Sequence, residues 1–328
     1  MYRKSFDQST SINYVINLSS IGDSVCALIP LIYLVKNHGQ HDLKIWLGKD
    51  KNDLYLPFIP EKYINYTYDH FKEVNRTFPT KVASERLPIS NTNGNLTDYF
   101  CWSLLNRQLE LEDKIYPKYP VDTIDVSRFN IDFSKCVVLC VNYIWLNKVF
   151  LSQTWNDVID YILSIGLTPL ILGKNMEMEH EHPDNKFKVE TGKKVNFDKC
   201  VNLLNQTTLK EVVKIISMSK MIIGPDNGLL HVAGMTDTPV VGAYTVKSHT
   251  DLMPVRRNKQ GKAELGFKVY PIIPEIECRF CVSNMLVSFN HDFRYCFYND
   301  YRCVREITGE VVINKIKEVL KDANNNKI

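Results

Sequence analysis

The sequence predicts an α/β protein built from two doubly wound domains. Three observations carry this. The chain has 328 residues, 45% of them hydrophobic and 23% charged, enough for two ordinary cores. A strand, helix, strand pattern opens it. A second alternating series of strands and helices begins near Val137, and such alternation argues for parallel sheets covered on both faces.

The first unit reads directly. Residues 14–18 are β-like, residues 19–23 form a turn, Val25 to Asn37 is helical and residues 44–47 are β-like again. From Asp69 to Tyr119 the pattern mixes polar, aromatic and helical signals, and Asp98 to Leu111 is its best helix. Pro120 to Ser134 is polar and turn-prone, which predicts a linker and two domains, 1–130 and 131–328. After it come a strand at Val137 to Val141, a helix at Gln153 to Ile165 and a strand at Thr168 to Leu172. A helix at Thr208 to Met218, a strand at Met221 to Ile223, a helix at Leu229 to Met235 and a strand at Pro239 to Ala243 complete the series.

Composition removes several classes. Forty basic side chains against thirty-seven acidic ones leave +3, too small a surplus to imply a nucleic-acid or membrane surface. The polar amino terminus has no apolar run followed by a small-residue cleavage site, so no signal peptide is expected. Val25 to Val35 is about half a membrane span in length and contains Pro30, which suits a buried helix. Nine cysteines are an odd number, and Cys26, Cys101, Cys136, Cys140 and Cys200 are scattered as reduced cytosolic thiols usually are, so a cytoplasmic location is the expectation.

The most informative stretch runs from Gly224 to His231 (GPDNGLLH), which follows a short β run and opens a helix. A turn of small residues there leaves backbone N–H groups pointing outward at the positive end of the helix dipole, where a diphosphate is accommodated. Gly228 lets the backbone approach the phosphate. Two plainer readings stay open beside this one: Asp226 or Asn227 as a helix cap, and His231 as a satisfied interior residue.

The run MIIGPDNGLLHVAGMTDTPVVGAY, residues 221–244, resembles the signature of the heptosyltransferase-like glycosyltransferases, family 9. That signature is an apolar strand, D-[ST]-G-x-x-H-x-A and a small-Pro-Val-Val strand. Asn227 stands where the family has Thr or Ser. Ser20 to Asp23 with Pro30 is similar to the family's amino-terminal G-D-x-x-x-x-x-P element, and Lys148 to Trp155 is similar to its K-x-W-P region without the Trp-Pro pair. Residues 170–177 resemble the strand and G-x-x-x-E turn, and residues 202–209 match N-L-x-G-x-T-x-L except at its Gly. The matches fall in family order over most of residues 12–245, with 65–120 unmatched.

This resemblance implies the GT-B architecture, two Rossmann-like domains facing a central cleft, with acceptor bound by the first and nucleotide-sugar donor by the second. It implies an inverting transferase that moves a sugar from a donor such as ADP-heptose to an acceptor hydroxyl of a saccharide or glycolipid. Inverting transfer needs a base for the acceptor proton and positive or dipolar groups for the departing diphosphate. The resemblance assigns Asp23 as the base, against the plainer reading of a helix cap. It assigns Lys148, Asp226, Asn227, Gly228 and His231 to the diphosphate and Glu177 to the donor ribose, with Glu179 and Glu181 close enough to compete. No Asp-x-Asp pair stands where a metal-dependent transferase holds its ion, so no catalytic cofactor is expected.

Cys278 and Cys281 form a C-x-x-C in an aromatic-rich segment that also holds Cys296 and Cys303. Four thiols of this kind suit a structural zinc, although the later pair lacks tight spacing, and ordinary packing thiols remain the alternative. Lys247, Arg256, Arg257, Lys259, Lys262 and Lys268 crowd a stretch with only Asp251 and Glu264. Such a loop suits an anionic acceptor, either a phosphorylated glycolipid in peripheral membrane contact or DNA, and equally a solvated surface. Two other functions stay open: a phage-type transferase that modifies hydroxymethylated DNA bases, and a catalytically silent sugar- or nucleotide-binding module.

Overall fold

The computed structural model describes residues 12–17, 20–38, 43–47, 52–65, 80–84, 95–141, 145–174, 195–283, 296–298 and 300–325. The chain divides into two compact units, Met1–Pro117 and Lys118–Ile328. Among the described residues no helix is long and apolar enough to cross a membrane.

In the first unit β1 (Ile12–Asn17), β2 (Leu43–Leu47), β3 (Ile64–Asn65) and β4 (Thr80–Ser84) form one parallel sheet in the order β3-β2-β1-β4. Helix Ile21–His38 follows β1. It begins earlier than its apolar run suggests. The Ser20 hydroxyl accepts from the Asp23 N–H at 3.3 Å, and the Ser20 carbonyl accepts from the Ser24 N–H at 3.2 Å. These bonds satisfy first-turn donors that would otherwise be orphaned. The helix is apolar through Val25, Cys26, Ala27, Leu28, Ile29 and Leu31, all buried, as expected of a helix enclosed by neighbours on several sides. Helix Leu96–Leu105 packs against it, held at its start by a capping box between Asn95 and Asp98. It stops six residues short of Leu111 because Asn106 adopts φ 56°, a left-handed cap that Asn tolerates.

In the second unit β5 (Cys136–Leu139), β6 (Thr168–Ile171), β7 (Val201–Asn202), β8 (Met221–Pro225) and β9 (Val240–Ala243) are followed by the antiparallel hairpin β10 (Val255–Arg257) and β11 (Ala263–Leu265), then by β12 (Val269–Ile272). All but the hairpin join one parallel sheet in the order β12-β9-β8-β5-β6-β7. The first strand is therefore central: the chain works outward to β7, returns to β8 and works outward the other way. That is the doubly wound order whose switch point lies between β5 and β8.

The helices cover this sheet by period. Trp155, Val158, Ile159 and Ile162 of helix Ser152–Ser164 lie one turn apart and meet Val312, Ile316 and Val319 of helix Gly309–Asn324 over Val137, Leu139, Met221, Ile223 and Val241. Each such aliphatic side chain, fully buried, contributes about 1.5–3 kcal/mol. Helix Gly309–Asn324 runs into the polar Asn/Lys tail, whose composition hides the 312, 316, 319 spacing. Its start crosses the first helix so closely that a Cβ on Gly309 would lie 2.4 Å from the Asp157 Cβ.

The segment expected to be a linker is bound to the second unit. Just before it, Tyr119 donates its N–H to the Met235 carbonyl, and Lys118 pairs with Asp237 at 2.6 Å. Arg128 grips the Glu211 carboxylate at 2.9 and 3.1 Å and the Gln206 carbonyl at 2.7 Å, at the capped start of helix Leu209–Met218. The hydrogen bond from Arg128 above all, helped by Thr208, holds the Glu211 carboxyl at about 2 against the opposing effect of burial. A carboxyl depressed on folding adds stability above its unfolded value, and that contribution is lost as pH falls toward the folded value. Arg128→Ala is therefore expected to be less stable than the parent at neutral pH, and the two stability curves should converge between pH ~4 and ~2. Urea titrations across that range check this; parallel curves would show that the pair contributes nothing.

Candidate functional site

At the switch point β5 ends at Leu139 and β8 at Pro225, so the chain beyond each strand leaves from the same edge of the sheet, where open parallel sheets bind ligands. Close approach depends on Gly224. A Cβ there would stand 2.6 Å from the Cys140 Cβ and 3.2 Å from the Cys140 carbonyl oxygen. The Cys140 N–H donates to the Ile223 carbonyl at 2.8 Å and extends the ladder to this edge.

Beyond β5 the chain makes a 3-10 turn, Leu146–Lys148, and beyond β8 it turns through Asp226 and Asn227 into helix Gly228–Gly234. The two turns meet in an ion pair between the Lys148 ammonium and Asp226 Oδ2. The side chains are 15% and 8% exposed, so the pair is largely shielded from water. His231, three residues into the helix, places Nε2 3.7 Å from Asp226 Oδ1. Burial pushes the Asp226 carboxyl up, but the Lys148 charge and the nearby His231 outweigh it and hold the carboxyl well below the ordinary carboxylate range. Asp226 is thus an anion that orients two nitrogen donors.

Three further groups complete the pair's surroundings. The Trp145 ring centroid lies 4.3 Å from the Lys148 ammonium, a cation–π contact on the same turn. Tyr244, just past β9, is buried, and burial followed by the Asp226 charge pushes its hydroxyl up and keeps it protonated. Thr245 donates its hydroxyl to the Asn147 carbonyl at 2.6 Å, which ties the Lys148 turn to the end of β9.

Asn227 has a local job. Its side-chain oxygen accepts from the Leu229 N–H at 2.9 Å and caps the short helix, while its side chain also bonds the Cys140 thiol, which burial pushes up to about 12. The capping role that the sequence left open between Asp226 and Asn227 falls to Asn227.

The structure therefore brings Lys148, Asp226, Asn227, Gly228 and His231 together within one unit. Asp23 belongs to the other unit. It sits half-buried in the first turn of helix Ile21–His38, beyond the carboxyl end of β1, and Ser20 rather than Asp23 serves as the cap. Glu177, Glu179 and Glu181 lie outside the described residues. Sequence reasoning did not single out Trp145 or Tyr244. The aromatic ring three positions before Lys148 was the available signal for the first; Tyr244 had none beyond its place at a strand end.

The basic stretch is rearranged by folding. Arg256 is 4% exposed, turned inward onto backbone carbonyls, and Arg257 donates to the Gly261 carbonyl within the hairpin turn.

The four carboxy-terminal cysteines converge electrostatically. Burial, then the charges of Cys296, Cys278 and Cys281, push the Cys303 thiol up to about 12, and burial with Cys296 and Cys278 pushes Cys281 up to about 11. Among the described residues no group of three or more His, Cys, Asp or Glu stands close enough to hold a metal ion. Cys303, Tyr301 and Val304 pack with Leu146 and Val149, and Cys296 lies against them. The cysteine segment therefore buttresses the turn that presents Lys148.

Residues 101–265 match the family model described as glycosyltransferase family 9 (heptosyltransferase). No curated protein matches the chain significantly. Among solved structures it is similar to the iron-containing dodecameric glycosyltransferase TibC from enterotoxigenic E. coli, with 16% identity, a TM-score of 0.68 and coverage of 96% of this chain and 77% of that one. The same heptosyltransferase in complex with ADP-D-β-D-heptose aligns at 14% identity and a TM-score of 0.69, with the same coverage. The ADP-heptose LPS heptosyltransferase II of E. coli aligns at 15% identity and a TM-score of 0.56, over 95% of this chain and 99% of that one. These likenesses show the GT-B fold.

If Gly224 sets the distance between the two strand ends, Gly224→Ala must push β8 away from β5. Its neighbours there are a Cβ and a backbone oxygen, not a flexible side-chain tip. The expected cost is about 1–3 kcal/mol in unfolding free energy. A denaturant titration reads it, and an unchanged midpoint would show that the edge yields freely.

Proposed function

We propose that this chain, a glycosyltransferase that belongs to glycosyltransferase family 9 (heptosyltransferase), transfers a sugar with inversion from an ADP-linked donor such as ADP-heptose to the hydroxyl of a saccharide or glycolipid. The observation that carries this reading is the shielded Lys148–Asp226 pair at the switch point of the second unit's sheet. An ammonium has three N–H directions; Asp226 takes one and the Trp145 ring faces the group, so at most two serve phosphate oxygens. The amino end of the helix that begins at Gly228 adds a favourable dipole for an anion there. The relatives with ADP-heptose in their names support the choice of donor.

In this reading the second unit holds the donor and the first presents the acceptor. Asp23 takes the proton as the acceptor oxygen attacks the anomeric carbon; the bond from that carbon to the diphosphate oxygen breaks, and the nucleoside diphosphate leaves with its charge met by Lys148 and His231. Asn227 works mainly as the cap that keeps the turn open, and Gly228 permits close approach. Glu177 is assigned to the donor ribose on the resemblance alone.

Mass action supplies the test, since a ligand that binds only the native state raises the melting temperature. ADP is expected to stabilise the parent more than UDP or GDP does. Asp23→Asn should keep that shift while turnover falls by ~10²-fold or more. The double variant Lys148→Met with Asp226→Asn, which strands no buried charge, should lose the shift. Full turnover in Asp23→Asn would remove the base from this mechanism, and an undiminished ADP shift in the double variant would remove the donor site.

Cys278, Cys281, Cys296 and Cys303 are proposed as a structural metal centre. Four soft sulfur groups on one segment, and the iron in the name of the similar TibC, support zinc or iron, although the described side chains do not stand at ligand spacing. No catalytic step passes through such a metal. Elemental analysis of protein purified without added metal is expected to find about one zinc or iron per chain, and chelation should lower the melting temperature. Four freely titrating thiols with no bound metal would leave them as packing residues.

A further inference from the structure

Helix Gly228–Gly234 spans only seven residues, too few to hold a fixed direction by its own hydrogen bonds. Its amino end is tied down by the Asn227 cap and by the Asp226 N–H, which donates to the Ala243 carbonyl at 3.0 Å. The far end is held by Thr236, whose N–H and hydroxyl donate to the Ala233 carbonyl at 3.0 and 2.8 Å, and by Arg256. This guanidinium reaches inward from β10, where the side chain is almost wholly buried. Nε donates to the Gly234 carbonyl at 3.3 Å and Nη2 to the Ala233 carbonyl, both in the last turn of the helix. Nη2 also donates to the Thr238 carbonyl at 3.2 Å and Nη1 to the Phe267 carbonyl at 3.1 Å. One planar fork therefore ties the end of the helix to the residue before β9's lead-in and to the turn before β12.

A cation at this end also complements the negative pole of the helix, whose final carbonyls have no intrahelical partner. Lysine cannot reproduce the arrangement, because an ammonium lacks the planar, divergent N–H groups that span four carbonyls at once. The helix is about 10 Å long at 1.5 Å per residue and acts as a rigid rod on that scale. Movement at Gly234 is passed to Gly228, and His231 lies between them on the same rod.

We propose that Arg256 is a positioning residue for the donor diphosphate: by holding the carboxyl end of helix Gly228–Gly234, it sets where Asp226, Gly228 and His231 stand relative to the phosphates. This rests on the reading of that turn as the donor site. Arg256 is proposed to act through the helix rather than on the phosphates, although its charge also reaches Tyr244.

The experiment compares Arg256→Lys with Thr154→Val in the full-length chain. Thr154 donates its buried hydroxyl to the Ile307 carbonyl, two residues before helix Gly309–Asn324, so its loss destabilises the same unit away from the site. Binding of ADP, UDP and GDP is measured by titration calorimetry, with donor and acceptor kinetics alongside. Arg256→Lys is expected to weaken the tightest-binding nucleoside diphosphate by ~10-fold or more, as sub-ångström to 1 Å misplacement does, and to raise the donor KM while the acceptor KM holds. Thr154→Val should melt earlier with its dissociation constant unchanged. Should Arg256→Lys not fold, Arg256→Gln carries the same comparison. If the Arg256 variant melts earlier but binds nucleotide as the parent does, while Lys148→Met/Asp226→Asn binds weakly, Arg256 is structural only and the inference is overturned. If neither variant weakens binding, the donor-site reading falls and this inference with it.

Discussion

The second unit depends on one constraint, the adjacency of β5 and β8 at the centre of a parallel sheet. Parallel strands present all their carboxyl ends at one edge, and a doubly wound order makes the connections diverge where the chain direction across the sheet reverses. Two turns then emerge side by side with no helix crossing between them. Gly224 against Cys140 makes that adjacency as close as the backbones permit. The pairing of Lys148 with Asp226 follows, since each sits on the first turn beyond its strand.

A buried ion pair is a poor way to stabilise a protein. Desolvating two charges offsets much of their attraction, and removing one partner costs about 3–5 kcal/mol by stranding the other. Its presence at a switch point is better explained by orientation. Asp226 is held ionised and directs both an ammonium and an imidazole, while Trp145 covers the ammonium from its own turn and Thr245 fastens that turn to β9. Every element of the sheet's central edge is thereby committed to the placement of Lys148, and the cysteine-bearing segment continues the support through Tyr301 and Cys303 on Leu146 and Val149.

What the sequence made legible follows the range of each interaction. Strand, turn and helix around residues 221–235 are contiguous, so their periods and small residues predicted the elements and marked Gly224 to His231 as the candidate turn, which the resemblance then assigned residue by residue. Lys148 stands 78 residues before Asp226 and was found through the resemblance, not through any local pattern. Helix Gly309–Asn324 was missed because its polar face dominates composition, whereas its buried face contacts helix Ser152–Ser164, far away in sequence. The linker reading of 120–134 failed to foresee its docking, because Arg128 and Glu211 look like ordinary surface charges until the fold joins them.

Arg256 illustrates the same limit in its sharpest form. Counted along the chain it belongs to a basic stretch, and charge counting alone would place it in solvent facing an anion. Folding instead directs it at four carbonyls, where the free-energy cost of burying a guanidinium is met by hydrogen bonds and by the negative end of a helix. A buried cation in such a place is expensive to maintain, and an apolar side chain would fill the space more simply. What an apolar residue cannot do is bind the end of a two-turn helix to two separate strands. Gly224 fixes the strand edge from which the chain turns into that helix, and Arg256 holds the helix at its other end, so the turn through Asp226 and Asn227 between them has little freedom to move.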